Sequence, residues 1–166
     1  FKDGDCWFDT GDLVRQQGFR HVSFVDRLGD TFRWKGENVA TTQVEGALGS
    51  HPDVDQAVVF GVDVPGTDGK AGMAALTLRS GKKFDGGSLA SHAYESLPSY
   101  AVPLFVRVVE SLEATSTFKS KKVELRKTGY GDGDGDLYVL KGKADGYVEF
   151  YDGYVDEVGG GKLPKG

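Results

Sequence analysis

The sequence is poor in the residues that build disulfide frameworks and metal centres. Its 166 residues include a single cysteine, Cys6, so no disulfide can form within the chain. The three histidines, His21, His51 and His92, share no spacing typical of metal ligands. The sequence therefore predicts neither an internal disulfide nor a metal site.

Long hydrophobic runs and an excess of positive charge are also absent. No apolar run approaches the roughly 18 to 20 residues of a membrane-spanning helix, and the N-terminus lacks a signal-peptide pattern. Lys and Arg number 20 against 25 Asp and Glu, which gives a formal net charge of −5. Because nucleic-acid binding needs a basic face toward the phosphates, this balance argues against a nucleic-acid partner.

The chain has no initiator methionine and opens at Phe1 directly into dense sequence. This start predicts a piece of a longer protein, with a processed N-terminus as the alternative. The length fits one domain or two small ones. Any membrane association would then depend on segments outside this sequence.

Glycine, in contrast, is abundant and unevenly distributed. Of 25 glycines, 11 fall within residues 129–166, where 4 Lys stand against 8 acidic residues. This change of composition predicts a domain over residues 1–128 and an acidic, glycine-rich C-terminal extension over residues 129–166. Aromatic segments at 138–140 and 147–151 predict that the extension is partly docked on the core.

The extension also contains Asp132, Asp134 and Asp136, which alternate like the start of a calcium-binding EF-hand loop. The sixth and twelfth positions of such a loop need Gly and Glu, and here they are Leu137 and Lys143. A solvated acidic loop is therefore the prediction.

The first 40 residues read as strands and turns. Two runs, 13–16 and 21–25, flank Gln17-Gly18-Phe19, a pattern typical of a β-hairpin. Residues 31–35 predict a further strand, and the following residues 36–38 have the composition of a turn.

The middle of the chain alternates strands and helices. A helix capped by Thr41 or Thr42 would bury Val44, Ala47 and Leu48 and end at His51-Pro52. A second helix is predicted over residues 88–97, with Ser88 as its cap, and a short basic helix over 121–127. Predicted strands occupy residues 54–62, 71–78 and 105–109.

These elements predict an α+β fold, a small mixed β-sheet with flanking helices and an N-terminal β-hairpin. Three segments within it carry residue types suited to nucleotide chemistry: 7–13, 26–39 and 115–122. By itself, each segment is better explained as an ordinary turn or as solvated charges.

The chemistry of the three segments becomes specific at a few positions. The carboxylate of Asp12 can accept two hydroxyl hydrogen bonds from a vicinal diol. Arg27 offers a planar fork of donors, and Lys119 is a compact cation in a hydroxyl-rich loop. Gly29 and Gly36 allow backbone freedom and close approach.

Together, in this order and spacing, the three segments resemble the C-terminal domain of adenylate-forming enzymes. This superfamily contains acyl-CoA synthetases, peptide-synthetase adenylation domains and firefly luciferase. The run 26–45 is most similar to the fatty acid transport protein and very-long-chain acyl-CoA synthetase family, and its distinctive part is Phe32-Arg33-Trp34-Lys35-Gly36-Glu37-Asn38-Val39-Ala40-Thr41-Thr42. Segments 64–73, 97–101 and 117–119 support the resemblance, which spans about residues 1–140.

The resemblance implies a role for each matching position. Asp12 and Arg27 would bind the ribose of ATP and AMP, and Lys119 would reach the α-phosphate and the substrate carboxylate. The domain would rotate about a hinge at Gly29, where many superfamily members have Asp or Lys. After rotation a CoA-side loop would line the entry of CoA: Arg33, Trp34, Lys35, Gly36 and Glu37.

By resemblance, the parent protein is a long- or very-long-chain fatty acyl-CoA synthetase. It would convert a fatty acid, ATP and CoA to acyl-CoA, AMP and pyrophosphate, with ATP and Mg bound mainly by an N-terminal domain outside this sequence. The expected location is cytoplasmic or peripheral to a membrane, and the fragment alone is expected to be inactive. The alternative is a stand-alone, non-catalytic binding or interaction module, which the sequence upstream would distinguish.

Overall fold

A computed structural model describes residues 12–16, 18–19, 21–27, 31–112, 124–162 and 164–165, with backbone only for 12–16 and 22–27. Its first elements are two antiparallel hairpins. Strands β1 (Asp12–Gln16) and β2 (Val22–Arg27) form the first hairpin, as the sequence predicts. Strands β3 (Thr31–Trp34) and β4 (Glu37–Ala40) form the second.

The second hairpin corrects the predicted turn over residues 36–38. The turn consists of Lys35 and Gly36, whose φ angles are 51° and 83°. Glu37 and Asn38 belong to β4 and pair with Trp34 and Arg33. Two central residues with positive φ match the twist of the flanking strands, so the chain reverses in two residues and pairing resumes at once.

A five-stranded mixed sheet forms the centre of the molecule, with strand order β5-β6-β7-β8-β9. β6 and β7 are parallel, and the other neighbouring pairs are antiparallel. This arrangement confirms the predicted α+β class and small mixed sheet. The strands are β5 (Val54–Asp63), β6 (Lys70–Leu78), β7 (Phe105–Val108), β8 (Asp136–Gly142) and β9 (Gly146–Glu149).

Two of the helices lie where they are predicted, but their caps differ. Neither Thr41 nor Thr42 caps α1 (Thr41–Gly49), because both lie inside the helix and Ala40 occupies the N-cap position. α2 (Gly86–Ser96) begins two residues before Ser88. Its N-cap is Asp85, whose carboxylate accepts the backbone N–H of Ser88 at 2.9 Å.

The C-terminal segment, meaning the described residues of 129–166, is built into the same core. β8 and β9 extend the sheet beyond β7, and helix α3 (Tyr154–Gly159) follows them. Val139, Tyr147 and Tyr154 are buried in the core. The aromatic side chains of this segment are thus packed into the core, and a domain division between residues 128 and 129 remains a prediction. Residues 124–128 are helical and overlap the basic helix predicted over 121–127.

A buried arginine organises the acidic loop before β8. Arg107, on β7, is 3% exposed. Its guanidinium donates to the carbonyl oxygens of Gly133 (2.9 Å), Gly129 (3.2 Å) and Gly131 (2.6 Å). Three peptide carbonyl groups of the loop thus accept hydrogen bonds from one planar guanidinium.

Burial and the acidic side chains act on Arg107 in opposite directions. Burial lowers the pKa of the guanidinium, and Asp134 and Asp132 raise it.

Within the described ranges, no helix is long and apolar enough to cross a membrane.

We expect Arg107→Leu to destabilise the fold by about 1–3 kcal/mol, because three loop carbonyl groups lose a charged hydrogen-bond donor. Arg107→Lys retains the charge but not the fork, so its loss of unfolding free energy should be smaller. Urea denaturation of both variants measures the difference. Equal stability of Arg107→Leu and the unsubstituted chain would show that the loop does not depend on the guanidinium.

Candidate functional site

The tip of the β3–β4 hairpin presents a short, well-supported polar surface. Arg33, Lys35, Gly36 and Glu37 are exposed there, and Asn38 stands opposite Arg33 in the register. The turn places two cations and one carboxylate within five consecutive residues. Such a surface can meet a phosphate-rich ligand through the planar donors of Arg33 and the point charge of Lys35.

Trp34, also predicted for this loop, is placed differently from its neighbours. Its side chain is 4% exposed and belongs to the core, as does Phe32 two residues earlier. Residues i and i+2 of a strand share a face, so the inward face anchors the hairpin while Arg33 lies on the outward face. Trp34 therefore holds the loop in place, and its ring is not on the exposed surface.

The Phe32 side chain packs directly on a pair of glycines in the sheet. Gly61 and Gly72 are direct partners in the β5–β6 register. A Cβ at Gly61 would come 2.6 Å from the Cβ of Phe32, and one at Gly72 would come 2.9 Å from its Cζ. The absence of side chains at this pair lets the hairpin lie directly on the sheet.

The loop 64–69 supplies a second support that sequence reasoning missed. Gly69 forms an isolated antiparallel bridge with Trp34. A Cβ at Gly69 would overlap the carbonyl oxygen of Arg33, so the two main chains are in direct contact. The Asp68-Gly69 dipeptide signals a turn in the sequence, but nothing in it indicates which strand the turn contacts.

The first hairpin places the two predicted nucleotide-binding positions opposite each other. Asp12 and Arg27 are register partners at the open end of β1 and β2. Directly opposed residues of antiparallel strands have Cα atoms about 5 Å apart. Asp12 and Arg27, which are distant in sequence, thus lie side by side on neighbouring strands. Lys119 and Gly29, the predicted catalytic lysine and hinge, lie outside the described residues.

A Ser–His contact elsewhere in the chain has a geometry that does not activate a nucleophile. His51 is 4% exposed, and its Nε2 lies 3.0 Å from Ser88 Oγ. The backbone N–H of Asp53 donates to His51 Nδ1 at 3.2 Å. The neutral ring therefore carries its proton on Nε2 and donates it to Ser88, whereas a general base would accept the hydroxyl proton.

The same cluster joins α1 to α2. His92, on α2, places Nε2 3.0 Å from the Ala47 carbonyl oxygen and 2.9 Å from Ser50 Oγ. The His51 and His92 rings meet edge to face, with centroids 5.3 Å apart. These contacts assign the histidines to helix packing.

Acidic residues do not converge into a metal site within the part of the chain that the structure describes. No group of three or more His, Cys, Asp or Glu side chains is placed there to hold an ion. Around Asp132, Asp134 and Asp136, the peptide carbonyls of the loop point at Arg107 instead.

Comparison with known proteins gives this geometry a context. The profile of the family described as AMP-binding enzyme C-terminal domain matches residues 43–119. The chain is 60% identical over 167 aligned positions to the medium/long-chain-fatty-acid–CoA ligase FadD6 of Mycobacterium tuberculosis, covering 100% of this chain and 28% of the relative. It is 49% identical over 130 positions to mouse long-chain fatty acid transport protein 6, covering 78% of this chain and 21% of the relative.

The fold is shared with a solved enzyme structure. O-succinylbenzoate coenzyme A synthetase (MenE) from Bacillus subtilis, in complex with AMP, superposes with a TM-score of 0.59 at 29% identity. The match covers 81% of this chain and 26% of that one. The chain thus spans between about a fifth and three tenths of the length of these proteins.

We expect the free energy of unfolding to fall as the pH is lowered through 6.5 toward the lowered pKa of His51 in the folded chain. Burial lowers the pKa of His51 below its ordinary 6.5, and His92 and Lys82 act in the same direction against Asp53 and Asp85. Below 6.5 the unfolded chain therefore binds this proton before the folded chain does. The loss begins near that value and is complete below the lowered pKa.

Urea denaturation at a series of pH values tests the contribution of His51. His51→Asn should flatten the pH dependence, whereas His21→Asn, at an exposed position, should leave it intact. A slope unaffected by His51→Asn would show that another group is responsible.

Proposed function

Since residues 43–119 belong to the family of AMP-binding enzyme C-terminal domains, we propose that this chain is the C-terminal lid domain of a long- or very-long-chain fatty acyl-CoA synthetase. The parent enzyme forms an acyl-adenylate and pyrophosphate from a fatty acid and ATP. It then transfers the acyl group to CoA and releases AMP. The 60% identity over the whole chain to a fatty-acid–CoA ligase carries this proposal.

In the first half-reaction the domain contributes one cation and part of the nucleotide site. Lys119 neutralises charge at the α-phosphate while the substrate carboxylate attacks the phosphorus atom. Asp12 and Arg27 hold the ribose. The adjacency of their backbones in the β1–β2 register supports this assignment, because a ribose diol spans only a few ångströms.

In the second half-reaction the exposed β3–β4 tip faces CoA. Arg33 and Lys35 are suited to the phosphates of CoA, and Glu37 lies at the edge of the same surface. Gly36 has a φ of 83°, and within the described part of the chain no atom beyond its own neighbours lies within 4 Å of the place a Cβ would occupy, so a ligand can approach the backbone closely. The buried Trp34 fixes the tip, which reduces the ordering that CoA binding requires.

The two faces act in succession. Rotation about a hinge at Gly29 exchanges the Lys119 side of the domain for the β3–β4 tip, so one small domain serves both half-reactions. The described residues gather no group of three or more His, Cys, Asp or Glu side chains that could hold a metal ion. Mg would be held with ATP by the N-terminal domain.

The fatty-acid pocket and most of the ATP site also belong to that N-terminal domain, which is the direct partner of this chain. The parent enzyme works in the cytoplasm, where ATP and CoA are available, and any membrane contact is made by segments outside this chain. Acyl-CoA formation by the isolated 166-residue chain would contradict the proposed division of labour.

We expect Lys119→Ala in the full-length enzyme to slow adenylation by about 10²–10³-fold, the cost of removing one preorganised charge from a transition state. Transfer from a supplied acyl-adenylate to CoA should persist. Pyrophosphate exchange and single-turnover transfer measure the two steps, with Lys121→Ala as the matched cation control. Equal losses in both steps would contradict the role given to Lys119.

We expect Gly36→Val to produce the opposite pattern, with CoA transfer reduced about tenfold or more and adenylation retained. Gly81→Val is the control, because Gly81 also has positive φ (77°) and open space around a Cβ. If adenylation fell first in Gly36→Val, the CoA-side assignment would be wrong.

A further inference from the structure

The loop 64–69 makes main-chain contact with two elements that are far apart in sequence. One contact is the bridge between Gly69 and Trp34 of β3. The other is between Pro65-Gly66 and Gly159, at the end of α3. The loop therefore lies between the β3–β4 hairpin and the C-terminal segment.

On the hairpin side, the contact falls just before the turn. A Cβ at Gly69 would overlap the carbonyl oxygen of Arg33 and lie 3.7 Å from the Cα of Trp34. The next residues along the chain are Lys35 and Gly36, the turn itself. A shift of Gly69 must therefore move the base of the exposed tip.

On the C-terminal side, α3 is held firmly by the core. Tyr154 is 2% exposed, its hydroxyl donates to the Leu140 carbonyl oxygen at 2.8 Å, and its ring meets Phe105 edge-on at 5.6 Å. Val158, one turn later, is 1% exposed. The helix thus has little freedom to move, and the position of its last residue, Gly159, is fixed.

At that place the helix end abuts the loop. A Cβ at Gly159 would overlap the carbonyl oxygen of Pro65, and one at Gly66 would come 3.0 Å from the Gly159 carbonyl oxygen. Both contacts are with backbone, which cannot rotate away as a flexible side chain can. Added volume at Gly159 must displace the loop or the helix.

The loop between these contacts is internally braced. The backbone N–H and the hydroxyl of Thr67 both donate to the Val64 carbonyl oxygen, at 3.2 and 2.8 Å. Tyr130, from the C-terminal segment, donates its hydroxyl to the Asp63 carbonyl oxygen at 3.1 Å and stacks on Phe105 at 4.8 Å. These contacts restrain the loop from Asp63 to Thr67, so we expect a displacement at Pro65 to reach Gly69.

We propose that the C-terminal segment is a positioning element for the β3–β4 tip, acting through Gly159 and the loop 64–69. This gives a task to the region of the chain that is otherwise without assigned chemistry. Its meaning for CoA transfer depends on the function proposed above, whereas the mechanical link can be tested independently.

The mechanical link is tested in the 166-residue chain with Trp34 as the reporter, in a Trp7→Phe background that leaves one tryptophan. Gly159→Ala and Gly69→Ala should shift Trp34 emission to the red. They should also speed amide exchange over residues 33–38 about tenfold or more under native conditions, where global unfolding does not contribute.

Two glycines provide matched controls. Gly49 is the last residue of α1 as Gly159 is of α3, and Gly81 has positive φ as Gly69 has, but neither has an atom within 4 Å of a Cβ. Gly49→Ala and Gly81→Ala should leave the tip unchanged. If Gly159→Ala behaves like Gly49→Ala, the positioning role is overturned.

A milder pair of variants covers the case in which Gly159→Ala does not fold. Val158→Ala loosens α3 without overlap and should also speed exchange over residues 33–38, whereas Val155→Ala, on the less buried side of the helix, should not. Equal exchange in both would overturn the proposal.

The full-length enzyme separates this inference from the proposed function. Gly159→Ala should raise the KM for CoA about tenfold and leave pyrophosphate exchange unchanged, a split that general destabilisation does not produce. A loosened tip with an unchanged KM for CoA would retain the positioning role and overturn the CoA-side assignment.

Discussion

The architecture depends on close contacts at glycines, where a neighbouring backbone or buried side chain occupies the place of a Cβ. Gly61 and Gly72 form the floor for Phe32, Gly69 meets Arg33, and Gly159 meets Pro65. In each case a Cβ would collide with a neighbouring atom that packing or hydrogen bonding holds in place. Layers that approach this closely exclude water and leave few ways to rearrange, because protein interiors are close-packed.

This constraint explains how a small hairpin can be both exposed and well defined. Its inward face, with Phe32 and Trp34, is buried, while Arg33 and Lys35 remain in solvent. A polar tip on a rigid base meets a ligand with little loss of conformational entropy, which is what preorganised recognition requires. The same base would carry the tip as one unit if the domain rotates.

Many elements could be predicted because they depend on local pattern. Alternation and turn residues indicate the first hairpin and strand β3 but not β4, and helical spacing of Val44 and Leu48 indicates α1. The helix caps are harder to predict from the sequence. Asp85 and Ser88 are both good capping residues three positions apart, and only the backbone geometry decides between them. The turn at Lys35-Gly36 was misplaced because a lysine with positive φ is uncommon and leaves no sequence signal.

The same distinction between local pattern and tertiary contact applies to the candidate site. Motifs and periodicity are local properties, so the family, the residue types at the proposed site and the order of most strands and helices can be inferred from the chain alone. The folded structure is needed to see that Trp34 anchors the tip, that Arg107 organises the acidic loop, and that the C-terminal segment reaches the loop 64–69. Those outcomes depend on contacts between residues tens of positions apart, and no local pattern specifies which backbones will meet.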